Sequence, residues 1–131
     1  MSEDTPKGDL TLRTVAMPSD VNVNGDIFGG WVLSQMDIAA GIVSRETAQG
    51  RVATIAVDAM KFIQPVKVGD VLCVYTNIIR IGTTSIAVGI EAWANRGVIG
   101  KREKVTEAVF TFVAIDENGR PRPVSVSTEK S

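Results

Sequence analysis

A single helical segment, followed along the chain only by strand-like segments, is the feature that most restricts the fold. The helix is predicted from about Gly29 to Glu46, where the residues are mostly apolar or small. Four strand-like segments come after it and are separated by Gly, Pro or Asn; they are predicted at 52–62, 71–81, 85–94 and 102–115. A doubly wound parallel sheet needs a helix between successive strands, whereas short turns join antiparallel ones. The chain is therefore predicted to be an α+β protein whose antiparallel sheet curves around one helix.

The two ends of the chain complete this domain. A further strand is predicted at about 10–17, before Pro18, so that the order of elements is β-α-β-β-β-β. A chain of 131 residues is long enough for one domain with its own core. Residues 1–123 are predicted to form that domain, and 124–131, which offer little to bury, a flexible C-terminal tail.

Composition argues against several classes of protein. The formal net charge is −1 and no basic face stands out, so nucleic acid is not an expected partner. No apolar run approaches the ~18 residues of a membrane span, and the first nine residues lack the apolar core of a signal peptide. The chain has one cysteine and no histidine, so a Cys/His metal site is not expected. These features predict a cytoplasmic protein that does not bind a membrane.

One charged residue stands in the middle of the predicted helix. Between Asp26 and Arg45 the only charged residue is Asp37. A stripe of small or polar residues contains it, at helical spacings of 4, 3, 4 and 3: Gly30, Ser34, Asp37, Gly41 and Ser44. The opposite, apolar side is predicted to face the sheet: Val32, Met36, Ala39, Ala40 and Val43. The room above Asp37 could admit a ligand or a second chain; the alternative is an ordinary surface charge on a solvated stripe.

A specific pattern surrounds the start of this helix and continues after it. It consists of Asn22, Gly25, Phe28-Gly29-Gly30 and Asp37, followed by Phe62, Pro65 and Gly69-Asp70. In this spacing and strand order the chain resembles the acyl-CoA thioesterases of the hotdog fold, and most of all the YciA-like acyl-CoA thioester hydrolases. The resemblance extends from about Asp9 to Pro123 and includes the segments 12–20, 51–54 and 106–110.

The resemblance implies a fold, an assembly and an activity. The fold is a five-stranded antiparallel sheet wrapped around one long helix. The assembly is a homodimer with active sites between the protomers, expected to build further into a hexamer as a trimer of dimers. The activity is hydrolysis of short- to medium-chain acyl-CoA to fatty acid and CoA. No cofactor is expected, because CoA is part of the substrate and product.

The resemblance also assigns roles in the reaction. Asp37 is implied as the general base or the nucleophile, and the sequence leaves open which of the two. Asn22 is implied to orient water or to bind the thioester oxygen, facing Asp37 of the partner chain; the alternative is that Asn22 only shapes a turn. Gly29 and Gly30 would let backbone amides at the helix start polarise the thioester carbonyl. Close packing of helix on sheet is an equally good explanation of these glycines.

The phosphates of CoA call for cations, hydroxyl groups and backbone amides. A predicted hairpin turn offers all three, in Arg80, Gly82, Thr83, Thr84 and Ser85. Arg102, together with Arg96 and Lys101, is expected to add cations nearby. A hairpin needs Gly and Thr in any case, so turn geometry alone is the alternative explanation of these residues.

Two other functions compete with hydrolysis. A hotdog dehydratase or hydratase is disfavoured, because those reactions generally rely on a histidine and this chain has none. A non-catalytic module that binds or senses acyl-CoA would keep the pocket but would not need Asp37. Release of CoA from an acyl-CoA separates an enzyme from such a module.

Overall fold

The computed structural model describes residues 5–96 and 100–124. Its elements are β1 (Asp9–Val15), a 3-10 turn (Pro18–Asp20), α1 (Gly29–Ala48), β2 (Val52–Phe62), β3 (Val71–Ile81), β4 (Ser85–Arg96) and β5 (Lys101–Ala114). The five strands form one sheet in the order β1-β3-β4-β5-β2, and every neighbouring pair is antiparallel. The predicted α+β architecture is confirmed, with β1 and β2 as the two edge strands.

Helix α1 lies against the inner face of the sheet. Met36, Ala39 and Ala40 are fully buried on the side of the helix that was predicted to face the strands. They pack with alternate residues of β4, among them Ile86 and Val88, which are also fully buried. Burying each of the larger side chains, Met36, Ile86 and Val88, contributes about 1.5–3 kcal/mol, so this layer holds the helix in place.

The helix ends later than predicted, at Ala48. Thr47 continues the last turn because its Oγ1 donates to the carbonyl oxygen of Val43 at 2.9 Å. Gln49 then adopts the left-handed conformation, with φ of 55°, and its N–H donates to the carbonyl oxygen of Arg45. Ser44, the last residue of the predicted stripe, is fully buried.

Strand β2 does not alternate as strictly as its sequence suggests. Its pairing with β5 shifts twice, between Thr54 and Ala56 and between Asp58 and Lys61. Unbroken alternation from Thr54 would turn Asp58 towards the helix; the bulge at Ile55 instead places Asp58 opposite Val109, on the outer face. The same bulge places Val57 opposite the buried Phe110, on the inner face. The second bulge contains Ala59, whose φ is +51°.

The described part of the chain ends at Val124. Its N–H donates to the carbonyl oxygen of Thr83 at 2.8 Å, and its side chain packs against the core. The preceding Arg122 donates from Nη2 to the carbonyl oxygen of Ala48 at 3.0 Å. The flexible tail predicted for 124–131 otherwise lies outside the described residues.

Candidate active site

Helix α1 and strand β2 bring Asp37 and Thr54 together. Thr54 Oγ1 donates a hydrogen bond of 2.7 Å to Oδ1 of Asp37. The carboxylate is half-buried, and the bond fixes one of its oxygen atoms while leaving the other available to a ligand. A carboxylate with one oxygen held and the other open can act on a group bound beside it.

A groove with a volume of about 280 Å³ opens over Asp37. It is lined by Gly30, Leu33, Ser34, Asp37, Thr54, Val57 and Phe110. Leu33, Val57 and Phe110 make its walls largely apolar, and Asp37 is the only charged residue among them. A groove of this kind fits an apolar chain that carries one reactive polar group.

Asn22 lies in a separate depression of about 330 Å³, which it lines together with Gly29, Phe62 and Pro65. Its Oδ1 accepts hydrogen bonds from the N–H groups of Asn24, at 2.8 Å, and Asp26, at 3.1 Å. The oxygen therefore shapes the turn, as the alternative explanation from the sequence required. The Nδ2 group makes no hydrogen bond to any residue that the structure describes, and it is the part of Asn22 that can serve a ligand.

The two glycines at the start of α1 stand between these depressions. Phe28 is the N-cap and makes no side-chain capping bond, and the amides of Gly29 and Gly30 donate to none of the described residues. A Cβ on Gly29 would lie 3.3 Å from the ring of Phe62, whereas one on Gly30 would meet nothing within 4 Å. Close packing thus explains Gly29, and Gly30 keeps open the groove of Asp37.

The predicted phosphate-binding turn is a tight hairpin between β3 and β4. Gly82 N–H donates to the carbonyl oxygen of Ser85 at 2.8 Å. The carbonyl oxygens of Thr83 and Thr84 accept bonds from the N–H groups of Val124 and Ala114, so the last residue of β5 and a residue beyond it hold this turn. The Arg80 side chain is exposed beside it. Phosphate binding here stays a prediction.

Arg102 does not lie near that turn. It pairs with Asn95 at the far end of β4, and its guanidinium stacks at 5.6 Å from the ring centre of Trp93. The ten residues of strand between Ser85 and Asn95 correspond to about 33 Å. The expectation that Arg102 adds charge next to the turn is therefore wrong for a single chain. Arg96, at the same end, already pairs with two carboxylates, those of Asp70 and Glu103.

Thr54 is the residue that the sequence analysis missed. It belongs to the segment 51–54 that carries part of the family resemblance, but nothing local gives it a role. Its contact with Asp37 joins residues 17 positions apart, on different elements. The only local signal is a hydroxyl residue on the strand that directly follows the helix.

Neither a metal-binding cluster nor a membrane-spanning helix is found in the part of the chain that the structure describes. Within 5–96 and 100–124, no three His, Cys, Asp or Glu side chains cluster as metal ligands. In the same ranges, no helix is both long and apolar enough to cross a membrane.

Comparison with known proteins identifies the family. A model of the thioesterase superfamily matches residues 24–101. This chain belongs to that superfamily. It is 53% identical over 127 residues to the acyl-CoA thioester hydrolase YciA of Salmonella typhimurium, a match that covers 95% of this chain and 96% of that one. The resemblance found in the sequence is thereby confirmed.

Solved structures of other members share this fold. A hexameric broad-specificity acyl-coenzyme A thioesterase, in a variant with one aspartate changed to alanine, superposes with a TM-score of 0.87. It is 53% identical, and the match covers 90% of this chain and 87% of that one. The predicted hotdog fold, with its sheet around one helix, is confirmed.

A more distant member draws attention to the same pair of residue types. An acyl-CoA hydrolase of Staphylococcus aureus superposes with a TM-score of 0.79 at 27% identity, over 92% of this chain and 74% or 75% of that one. It was solved as an aspartate-to-alanine variant and as a threonine-to-alanine variant. The two changed positions are 17 residues apart, which is the separation of Asp37 and Thr54 here.

Proposed function

We propose that this chain hydrolyses short- to medium-chain acyl-CoA thioesters to fatty acids and CoA, with Asp37 as general base or nucleophile. The observation that carries the proposal is the Thr54–Asp37 hydrogen bond at the side of an apolar groove, in a member of the thioesterase superfamily. A module that only binds acyl-CoA would have no use for a carboxylate oriented in this way.

The geometry suggests how each group acts. Thr54 holds Oδ1 of Asp37, so that Oδ2 either takes a proton from the attacking water or attacks the thioester carbon itself. The carbonyl oxygen becomes negatively charged as the new bond forms, and the amides of Gly29 and Gly30 at the helix start stabilise that charge. If Asp37 acts as the base, the C–S bond breaks, the fatty acid leaves, and the proton held by Asp37 passes to the CoA thiolate. If Asp37 is the nucleophile, breaking the C–S bond releases the CoA thiolate and leaves an acyl–Asp37 anhydride, which water hydrolyses to the fatty acid and the free carboxylate.

The proposed site is shared between two chains. In one chain Asn22 and Asp37 line different depressions, so Asn22 Nδ2 serves Asp37 only if it comes from a partner. Strand β2 is an edge strand, and its Ile55 and Val57 are 59% and 42% exposed. A second copy of β2 would pair with this edge and cover these residues. Three such dimers would make a hexamer, the state of the solved thioesterase described above.

CoA binding is proposed at the hairpin turn that contains Arg80, Gly82, Thr83, Thr84 and Ser85. Arg102 is proposed as a further phosphate contact, and it can reach the same CoA only from a neighbouring chain, because it lies at the opposite end of β4. Charge-reversal variants Arg80→Glu and Arg102→Glu should each raise KM for acyl-CoA. An unchanged KM for a minimal acyl thioester that lacks the nucleotide would be the matching control.

Release of CoA tests the activity. The purified chain is incubated with butyryl-CoA or hexanoyl-CoA and a reagent that reports free thiols, with Asp37→Asn in parallel. We expect release by the wild type and almost none by the variant. Tight binding of acyl-CoA without turnover would instead establish a binding module.

Mixing two variants of low activity tests the shared site. Asp37→Asn and Asn22→Ala are dissociated reversibly and reassociated together. A mixed dimer pairs the intact Asn22 of one chain with the intact Asp37 of the other, so some activity should return. Activity equal to the sum of the parents, with mixed dimers verified by mass, would place both residues in one chain.

No metal or other cofactor is proposed for the reaction, because Asp37, Thr54, Asn22 and backbone amides supply the groups that it needs. Activity should survive a chelator unchanged. Loss of activity that zinc or manganese restores would contradict this. A cytoplasmic location, where acyl-CoA is available, remains part of the proposal.

A further inference from the structure

Arg96 ends strand β4, and its guanidinium group makes polar contacts with two other parts of the chain. Nε donates to Oδ2 of Asp70 at 2.9 Å, and Nη2 donates to the carbonyl oxygen of Pro65. Nη1 donates to Oε1 of Glu103 and lies 3.5 Å from Oε1 of Gln64. The Arg96 side chain is 25% exposed and that of Asp70 only 8%, so this cluster is largely removed from water.

Three of these partners lie on one segment, residues 63–70, which we call the β2–β3 connection. Asp70 closes its last turn: Oδ2 accepts the N–H of Lys67 at 2.8 Å, and the N–H of Asp70 donates to the carbonyl oxygen of Lys67 at 3.0 Å. The guanidinium therefore donates hydrogen bonds to the segment at both Pro65 and Asp70. A lysine cannot replace it, because an ammonium group is a point charge and cannot span partners that surround a planar fork.

The β2–β3 connection in turn holds the loop of Asn22. The N–H of Ile27 donates to the carbonyl oxygen of Val66 at 2.9 Å, and both side chains are almost fully buried. Lys67 forms an ion pair with Asp26. The carbonyl oxygen of Asp26 accepts the N–H of Asn22 at 2.7 Å, and the N–H of Asp26 donates to Oδ1 of Asn22 at 3.1 Å.

We propose that Arg96 is a positioning residue for Asn22. It acts through the β2–β3 connection, which both holds the Asn22 loop and, through Gln64 and Pro65, forms the wall that faces Asn22 across its depression. Arg96 contacts neither Asn22 nor Asp37, so its effect is indirect. The inference rests on the proposed function, because it assigns to Arg96 a part in that same site.

Arg96→Lys and Arg96→Met test the proposal, with Arg122→Met as the matched control. Arg122 also donates to three backbone carbonyls, those of Ala48, Ile115 and Pro123, but at the opposite end of the helix. We expect Arg96→Lys to lower kcat about tenfold at a temperature where it is fully folded, because small displacements of a reacting group are costly. Arg122→Met should leave kcat within about twofold. Equal losses of kcat in Arg96→Lys and Arg122→Met, at equal losses of melting temperature, would overturn the proposal.

A double-mutant cycle identifies the side chain through which Arg96 acts. In an Asn22→Ala background there is no amide left to position, so Arg96→Lys should cost less than about twofold in kcat. A loss in that background as large as in the wild type would show that Arg96 does not act through Asn22. The low rates of Asn22→Ala and of the double variant are measured over long incubations.

Hydrogen exchange separates this inference from the proposed activity. In Arg96→Lys and Arg96→Met, peptides covering 22–28 should exchange faster than in the wild type, and in Arg122→Met they should not. A wild type that releases no CoA would refute the proposed function while this exchange result still tested the link from Arg96 to Asn22. Unchanged exchange over 22–28 in both Arg96 variants would refute the link itself.

Discussion

The two ends of helix α1 are held in opposite ways. At the C-terminal end, Arg122 donates to the carbonyl oxygen of Ala48 at 3.0 Å and Gln49 turns into the left-handed conformation with its own bond to Arg45. At the N-terminal end, Phe28 provides no side-chain cap, and no acidic residue stands in the first turn. A capping side chain there would contribute about 1 kcal/mol.

The C-terminal end of the helix thus serves stability, and the N-terminal end serves the proposed reaction. A capping side chain would occupy the same amides that the proposed reaction uses, because both bind an oxygen atom at the start of the helix. The uncapped end stands beside both depressions of the candidate site, and the end held by Arg122 and Gln49 stands away from them. The variants below act on one end at a time.

Asp37→Asn should have the largest effect, at the N-terminal half alone. The asparagine keeps the shape and can still accept the Thr54 hydrogen bond, but it cannot take a proton or attack. We expect kcat to fall by about 10²–10⁴, the value of a positioned base, with the melting temperature within a few degrees of the wild type. A loss of only a few-fold would remove Asp37 from the role of base or nucleophile.

Arg122→Met should break the C-terminal end alone. It deprives the carbonyl oxygens of Ala48 and Ile115 of their donor, and an unsatisfied buried group costs about 1–3 kcal/mol. The free energy of unfolding should fall by that amount at fixed protein concentration, with kcat unchanged. An equally large loss of kcat would mean that the two ends are coupled.

Thr54→Val tests how much orientation the carboxylate needs. The change removes the 2.7 Å hydrogen bond to Asp37 and keeps the side-chain shape, so kcat should fall by about 10- to 100-fold, the equivalent of one hydrogen bond to a charged group. Thr54→Ser restores the hydroxyl and should recover most of the rate. Failure of serine to recover it would point to the methyl group, and thus to packing.

Gly30→Ala should change stability and activity in opposite directions. Nothing lies within 4 Å of the added Cβ, and alanine favours the helix over glycine by up to about 1 kcal/mol. The melting temperature should therefore rise slightly. The methyl group would project into the groove of Asp37, so kcat/KM should fall. A variant that gains stability and keeps full kcat/KM would show that the groove does not hold the substrate at Gly30.

Local pattern was enough to predict the elements of this fold. The start of α1 at Gly29 and the bounds of β2 and β3 agree with the sequence, because a double glycine, Pro65 and Gly82 interrupt the apolar periodicity there. The end of α1 was placed two residues early, because the side-chain bond of Thr47 to Val43 depends on geometry that composition does not encode.

The candidate site could be predicted only in part. Asp37 stands out in the sequence as the lone charge of an apolar helix. Its partner Thr54 does not, because the contact depends on how β2 docks against α1. Arg102 was misplaced for a similar reason: its position follows from the register of β5 on β4, and a strand pattern alone does not fix which end of a partner a residue meets.

The two bulges of β2 decide which changes in chain length this domain can accept. Between its first and last pairs with β5, β2 carries two residues more than the strand opposite. Deleting Ile55 removes one of them and leaves Thr54 opposite Phe112 and Val57 opposite Phe110, as they are now. Deleting Val57 instead moves Asp58 opposite Phe110, where its charge faces the helix. The two deletions each remove one apolar residue, two positions apart, but the first should keep the inner face of β2 intact and the second should not. Natural length variation in this strand should therefore fall at the bulges.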